Sequence, residues 1–468
     1  MVFIWLLGVV GAITSAPPTD PIGQYVHEDS WNMVVIADLF CTPYRSVPCA
    51  DADRDGRREF YASVWIGPDI WAACAFEYVG NNQFDTFELA PRNTIGPEGL
   101  GDADRDGLIE IIQHSQVLSL YESPDSFSLP TRCVWVESIS QSTSYYPVVV
   151  DLDVDSAPEI AIYRDARGIL LYECTGDNRY EYRGQTPPPG GGYASVQTLD
   201  LDRNGLPELA VRAGGCIALY EAARNDSLAF RDTVRILDSD ICRCYALAAA
   251  PDLDRDGRTE LIAPFFSRGQ DLFKIAVVES PASDSFEVVW ADTTPGGNWD
   301  AWSVAVGDVA GDSTLEFMVT NGDYIRLYRC VSNDRYECFW EGESIGPYAQ
   351  ATFYDINSDG QDELIHDYQD RTLIREWLPV GVEERTAQKL RQVEIQPSVV
   401  RSRGVVQVSG LPSSAEAEVM DASGRVVASG PSGASSFVLG TLDLKAGAYF
   451  IRIRLGNQSV VHKVLVVE

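Results

Sequence analysis

One acidic nine-residue pattern, D-x-D-x-D-G-x-x-E, constrains this 468-residue chain more than any other feature, because it recurs seven times. The copies begin at Asp51, Asp102, Asp151, Asp200, Asp252, Asp308 and Asp355, at intervals of 51, 49, 49, 52, 56 and 47 residues. A near-constant period marks a repeat architecture, in which each unit buries its apolar faces against its neighbours. The period is too long for one hairpin and suits a four-stranded sheet with its turns.

Each unit follows the same order. A short apolar strand such as Val148-Val149-Val150 enters the acidic loop, and a second, such as Glu159-Ile160-Ala161-Ile162-Tyr163, leaves it. A third ends near an aromatic residue (Tyr121, Tyr172, Tyr220, Tyr328). A polar turn such as Gly176-Asp177-Asn178 leads to a fourth, such as Phe286 to Trp290. Helical periodicity is nearly absent. Four strands per unit and seven units predict an all-β fold, a seven-bladed β-propeller over residues 24–380. The last unit lacks a clear fourth strand, and the stretch from Tyr25 to Leu39 has one to spare. It is expected to close the last blade and cover an otherwise open sheet edge.

Carboxylates at positions 1, 3 and 5 converge on a hard cation once the loop curls. Glycine at position 6 permits the turn, and the acid at position 9 closes the shell, which is the oxygen-rich logic of a calcium site. Three copies are complete: Asp51, Asp53, Asp55 and Glu59; Asp102, Asp104, Asp106 and Glu110; Asp252, Asp254, Asp256 and Glu260. Asp200, Asp202, Asn204 and Glu208 use an amide at position 5, and Asp355, Asn357, Asp359 and Glu363 use one at position 3. Asp151, Asp153, Asp155 and Glu159 have Ser156 in place of glycine. The sixth copy keeps Asp308, Asp312 and Glu316 but carries Ala310 at position 3, and is expected to be degraded. Asp-Gly turns also make ordinary hairpins, so one copy alone would carry little weight. Seven aligned copies predict several structural calcium ions (Ca2+) that contribute to folding. With these loops, residues 25–380 resemble the FG-GAP/VCBS repeat family, in which calcium loops join two strands of a propeller blade.

The formal charge of -33 argues against nucleic-acid binding, which needs Lys and Arg at phosphates, and favours cations. Residues six or seven before each motif should sit on the face opposite the calcium loops. They are Tyr44, Tyr145, Tyr193, Tyr245, Trp302 and Tyr348, with Ile95 and Gly96 at the second unit. Such a ring would bind sugar or peptide at a channel mouth, or else wedge between blades as core. The four histidines, His27, His114, His366 and His462, form no HExxH motif, and no P-loop or dinucleotide fingerprint is present. The leading expectation is therefore a monomeric extracellular binding or adhesion module for a glycan or protein. The alternatives are a carbohydrate-active hydrolase or lyase on the same scaffold, and a structural surface-layer component.

Residues 1–16 are apolar, end in Thr14-Ser15-Ala16 and read as a signal peptide, although no Lys or Arg precedes the apolar run. No later segment is apolar enough to span a membrane. Among ten cysteines, Cys41 and Cys49 are near enough to staple a loop, and Cys330 and Cys338 flank one turn. After a charged linker, 381–392, the acidic loops stop and short strands follow over 393–468. Asp421-Ala422-Ser423-Gly424-Arg425, Leu444-Lys445-Ala446-Gly447-Ala448-Tyr449 and the terminal strand from Lys463 resemble the type A C-terminal sorting domain of the type IX secretion system. Gln396-Pro397 stands where that family usually has Asn-Pro. The resemblance implies a small β-sandwich, engagement with the secretion machinery, and a bacterial protein outside the cell. An immunoglobulin-like spacer is the plainer alternative.

Overall fold

The structure is a computed structural model that describes most of residues 31–379 and 394–467. Residues 1–30 and 380–393 lie outside the described residues, as do several inter-strand segments. The leader at 1–16 and the linker at 381–392 fall there. The chain divides into two compact units, one built on Val34–Trp377 and one on Leu378–Glu468.

The first unit is all-β and propeller-like, with no helix among the described residues. Its sheets follow one another along the chain over residues 49–88, 97–137, 148–185, 194–235, 248–295, 304–343 and 351–379. Six have four strands, and the fourth gains a fifth, Ser144–Tyr145, parallel to Ala194–Leu199. The N-terminal strand Trp31–Leu39 bonds to Arg371–Pro379 and supplies the outermost strand of the last sheet. Arg371 lies 2.7 Å from Asp38, and the Thr372 hydroxyl donates to the Cys41 carbonyl at 3.1 Å.

Burial follows from stacking the sheets face to face. Second strands such as Glu260–Ser267 are buried on both faces, so they read as continuous apolar runs instead of alternating. Alternate residues then serve opposite neighbours. Leu261 and Phe265 pack on Ile217 and Leu219 of the fourth sheet, whereas Ile262 and Phe266 pack on Phe317 and Tyr328 of the sixth. Fourth strands face water over most of their length, as in Arg179–Gln185. Tyr61 meets Ile111 between sheets one and two, and Ile112 meets Ile160 between two and three. Tyr163 meets Leu209 between three and four. Phe339 and Trp377 stand edge to face at 5.0 Å between six and seven. Ile356, Ile365 and Ile374 of the last sheet pack on Phe60, Ala62 and Phe76 of the first.

Neither suggested cysteine staple forms. Cys330 pairs across its hairpin with Tyr336, and Cys338 pairs with Tyr328, so the two thiols are out of register. Both are free, as are Cys41 and Cys49.

The second unit has a three-stranded sheet (Glu394–Gln396, Val405–Ser409, Ser436–Gly440) and a five-stranded one. Gly447–Leu455 and Gln458–Val467 form the long central hairpin of the larger sheet. Val406, Val408, Val419, Ile451 and Ile453 are buried. Residues 422–425 of the D-x-x-G-R turn lie outside the described residues.

Candidate metal centre

Each acidic loop joins the first and second strands of its sheet, and all seven share one geometry. Position 4 adopts left-handed backbone at Arg54, Arg105, Val154, Arg203, Arg255, Gly311 and Ser358, with φ between 55° and 68°. Position 6 does so again, with φ of 87–93° at its five glycines, 79° at Ser156 and 65° at Ser313. The two left-handed residues curl the chain so that loop amides point at the carboxylates. The Asp106 amide donates to Asp104 at 3.2 Å, Gly107 to Asp102 at 3.0 Å, and Leu108 to Asp106 at 2.7 Å.

The position 9 glutamate begins the second strand, at the bottom of the loop. Its Oε accepts the position 2 amide in every copy: Ala52 to Glu59, Ala103 to Glu110, Leu152 to Glu159, Leu201 to Glu208, Leu253 to Glu260, Val309 to Glu316 and Ile356 to Glu363. The distances run from 2.6 to 3.2 Å. These side chains are buried to between 0% and 4% exposure. Burial pushes the carboxyls of Glu59, Glu110, Glu208, Glu260 and Glu316 up to about 8, and that of Glu363 to about 9. The loop's other acids add to the rise, and the position 2 amide opposes it. Negative charge crowded this way calls for a proton or a cation.

The oxygens left over bear on that choice. In the first, second and fourth loops, one oxygen of the position 1 aspartate (Asp51, Asp102, Asp200) is buried without a hydrogen-bond partner. So is Oε1 of the position 9 glutamate (Glu59, Glu110, Glu208). Candidate ligand oxygens of Asp51, Asp53 and Asp55 lie within 4.8 Å of one another, as do those of Asp102, Asp104 and Glu110, and those of Asp252, Asp254, Asp256 and Glu260. This all-oxygen donor set fits a hard cation of the calcium type. In the third loop, Asp151 accepts amides from Asp155 and Ser156, each at 3.0 Å, and Arg105 at 2.8 Å. In the sixth loop, Asp308 accepts amides from Asp312 and Ser313, and Ala310 supplies no carboxylate. In the seventh, Asp355 accepts amides from Asp359 and Gly360.

Two sets of functional residues escape a reading of single loops. The position 4 arginines reach the next loop: Arg54 to the Gly107 carbonyl, Arg105 to the Ser156 carbonyl, Arg203 to that of Pro251, and Arg255 to that of Ser313. Arg58 closes the series on Asp355 of the seventh loop at 2.9 Å. Recurrence of Arg at position 4 in four copies was the available signal. Second, the outer hairpin turn of the next sheet caps the loop. Amides of Asn178, Asp284 and Asp334 donate to Asp104, Asp202 and Asp254 at 2.7, 2.8 and 2.7 Å. These contacts span 74, 82 and 80 residues, so no local pattern carries them.

Of the six aromatic positions, Tyr44, Tyr193, Trp302 and Tyr348 lie outside the described residues, as do Ile95 and Gly96. Tyr145 lies in a strand. Tyr245 is buried. His366 is also buried; its Nε2 accepts from Arg375 at 2.9 Å and its Nδ1 lies 3.0 Å from the Asp367 carbonyl, a structural arrangement.

No curated protein sequence matches the chain. Among solved structures it is similar to PorZ, an essential bacterial surface component of the type IX secretion system of Porphyromonas gingivalis, at 13% identity and TM-score 0.43. That match covers 91% of this chain and 60% of PorZ, so this chain spans less than two thirds of PorZ's length. It is also similar to the periplasmic gluconolactonase PpgL of Pseudomonas aeruginosa, at 14% identity and TM-score 0.43, over 63% of this chain and 84% of that one. A Lactobacillus plantarum protein aligns at 11% identity and TM-score 0.46, over 65% and 86%. No helix among the described residues is long and apolar enough to cross a membrane. Residues 402–467 match the secretion system C-terminal sorting domain, so the chain carries a type IX sorting domain and is a protein sent to the cell surface or the extracellular space.

Proposed function

We propose that the chain is a calcium-stabilised, seven-bladed β-propeller of the FG-GAP/VCBS kind followed by a β-sandwich sorting domain. Outside the cell it serves as a binding or adhesion module for a glycan or protein. Packing of each sheet on the next, and of the last on the first, supports a closed ring of blades. The observation that carries the calcium reading is the set of buried, unpartnered carboxylate oxygens in the first, second and fourth loops. Asp51, Asp53, Asp55 and Glu59 hold one ion, and their counterparts hold the others. The ions act as staples, since they neutralise packed carboxylates at one end of each blade. By sequence position, the ligand surface is assigned to Tyr44, Tyr145, Tyr193, Trp302 and Tyr348; Tyr245, expected in the same ring, is left out because it is buried.

Calcium titration by calorimetry, with thermal unfolding in calcium and in excess chelator, tests the first half. A site held at a hundredfold excess over its Kd contributes about 2.7 kcal/mol, so several sites produce a large fall in Tm on chelation. An unchanged Tm and no heat of binding would sink the reading. A glycan array probed with and without calcium tests the second half. Binding lost on changing Tyr44 or Tyr348 to Ala supports it, and polysaccharide turnover would favour an enzyme.

A further inference from the structure

A second row of glutamates stands beside the loops, on the third strand of the first five sheets. Glu77 lies directly across the ladder from Glu59, Glu122 from Glu110, Glu173 from Glu159, and Glu221 from Glu208. Glu279 stands one step beyond the Leu261–Val278 pair, facing Glu260. All five are buried, at 0–6% exposure. Two buried carboxylates side by side repel each other, and a strand would not carry such a pair in five sheets without something between them. Each second-row acid has a polar partner that turns it. Arg57 bonds Glu77 at 2.7 Å, Arg183 bonds Glu173 at 2.9 Å, and Arg258 bonds Glu279 at 3.1 Å. Arg231 bonds Glu221, and the Asn178 side chain donates to Glu122 at 2.7 Å.

One arginine does not balance the five acids of such a site. Oε1 of Glu279, a fully buried side chain, has no hydrogen-bond partner while Oε2 takes Arg258. Candidate ligand oxygens of Asp53, Glu59 and Glu77 lie within 4.8 Å of one another, and Oε1 of Glu59 is buried and unpartnered. The sixth sheet supplies an internal control. There the residue across from Glu316 is Arg329, and its cross-strand partner is Glu337, bonded at 2.7 Å. In the second sheet the same two positions are Glu122 and Arg132. Arginine replaces the third-strand glutamate in the sheet whose loop has alanine at position 3.

We propose that the third-strand glutamate is a fifth carboxylate of the metal site in its own sheet, and that its replacement by Arg329 accompanies a sixth loop that takes no ion. This rests on the reading of the loops as calcium sites. The full chain is tested by equilibrium dialysis with radiolabelled calcium, and each variant's unfolding in chelator checks that it folds. Glu279→Gln should weaken one site by about tenfold or more, the scale expected for a group that supports a metal ligand. Asp238→Asn, which removes an exposed acid outside the loops and ladders, should leave binding unchanged. If Glu279→Gln fails to fold, Glu77→Gln takes its place. Ala310→Asp alone should add no ion, whereas Ala310→Asp with Arg329→Glu and Glu337→Arg should add one. Unchanged affinity in a folded Glu279→Gln protein, or a new tight site from Ala310→Asp alone, would overturn the proposal while wild-type binding leaves the calcium reading intact. A wild-type chain that binds no calcium sinks both.

Discussion

Arg105 of the second loop places Nη2 2.8 Å from Oδ2 of Asp151 in the third, so a cation from one sheet occupies an oxygen of the next sheet's acidic loop. The guanidinium is about half exposed, at 47%, which limits the pair to at most about 1 kcal/mol. Arg105→Met should therefore lower stability by about 0.5 kcal/mol in chelator. With calcium present the sign should change, because Asp151 is released to the ion. Chemical unfolding of both proteins in the two buffers reads the difference; an equal loss in both would mean that Arg105 and the ion do not compete.

Ser156 holds φ at 79°, a backbone conformation that five other loops give to glycine. A side chain in that region costs about 1–2 kcal/mol, and the amide that bonds Asp151 survives substitution by glycine. Ser156→Gly is expected to stabilise the protein by about 1 kcal/mol, measured by denaturant unfolding at fixed calcium. A destabilised variant would show that the serine hydroxyl does something the geometry does not reveal.

Gly307 of the sixth sheet lies close against the seventh. A Cβ there would meet Asp362 Oδ2 at 2.5 Å and Phe353 Cβ at 2.7 Å. Asp362 accepts the Asp308 amide at 2.7 Å, so the clash would also disturb the sixth loop. Gly307→Ala should cost about 1–3 kcal/mol by forcing the sheets apart. Gly184, with nothing near its Cβ position, is the control in the same unfolding assay.

Burial, helped by the charge of Arg375, holds His366 down at about 3, against an ordinary value of 6.5. The folded state therefore refuses a proton that the unfolded chain accepts. His366 contributes stability above pH 6.5 that is lost progressively as pH falls from 6.5 toward 3. The loss by the bottom of that window is on the order of a few kcal/mol. His366→Gln should flatten the pH profile across this range relative to wild type, and parallel profiles would count against the assignment.

Removal of residues 402–467 takes away the matched sorting domain. In a bacterium with a working type IX system, the truncated chain should stay inside the outer membrane while the full chain reaches the surface or medium. Cell fractionation and immunoblotting distinguish the two, and surface delivery of the truncated chain would place the export signal elsewhere.

What the amino-acid sequence determined by itself is local. Asp at alternate positions, Gly at position 6 and Glu at position 9 specify a curled acidic loop, because their backbone and side-chain preferences act within nine residues. The period of about 50 residues specified the count of sheets, and a missing fourth strand after Arg371–Pro379 pointed to Trp31–Leu39 as its edge. The tail was readable because its turn and strand residues are also close together in the chain.

Tertiary structure decided which side chains meet across strands and sheets. Glu77 follows Glu59 by 18 residues and Glu122 follows Glu110 by 12, so hairpins of unequal length hide from any fixed spacing a pair that the ladder sets face to face. Asn178 reaches Asp104, and Arg105 reaches Asp151, only because stacked sheets bring loop and turn ends together. Cys330 and Cys338 miss each other for the same kind of reason, since their register comes from the ladder and not from the length of the turn. The carboxylates could be counted in the chain; which of their oxygens lack a partner depends on donors that arrive from 50 to 80 residues away.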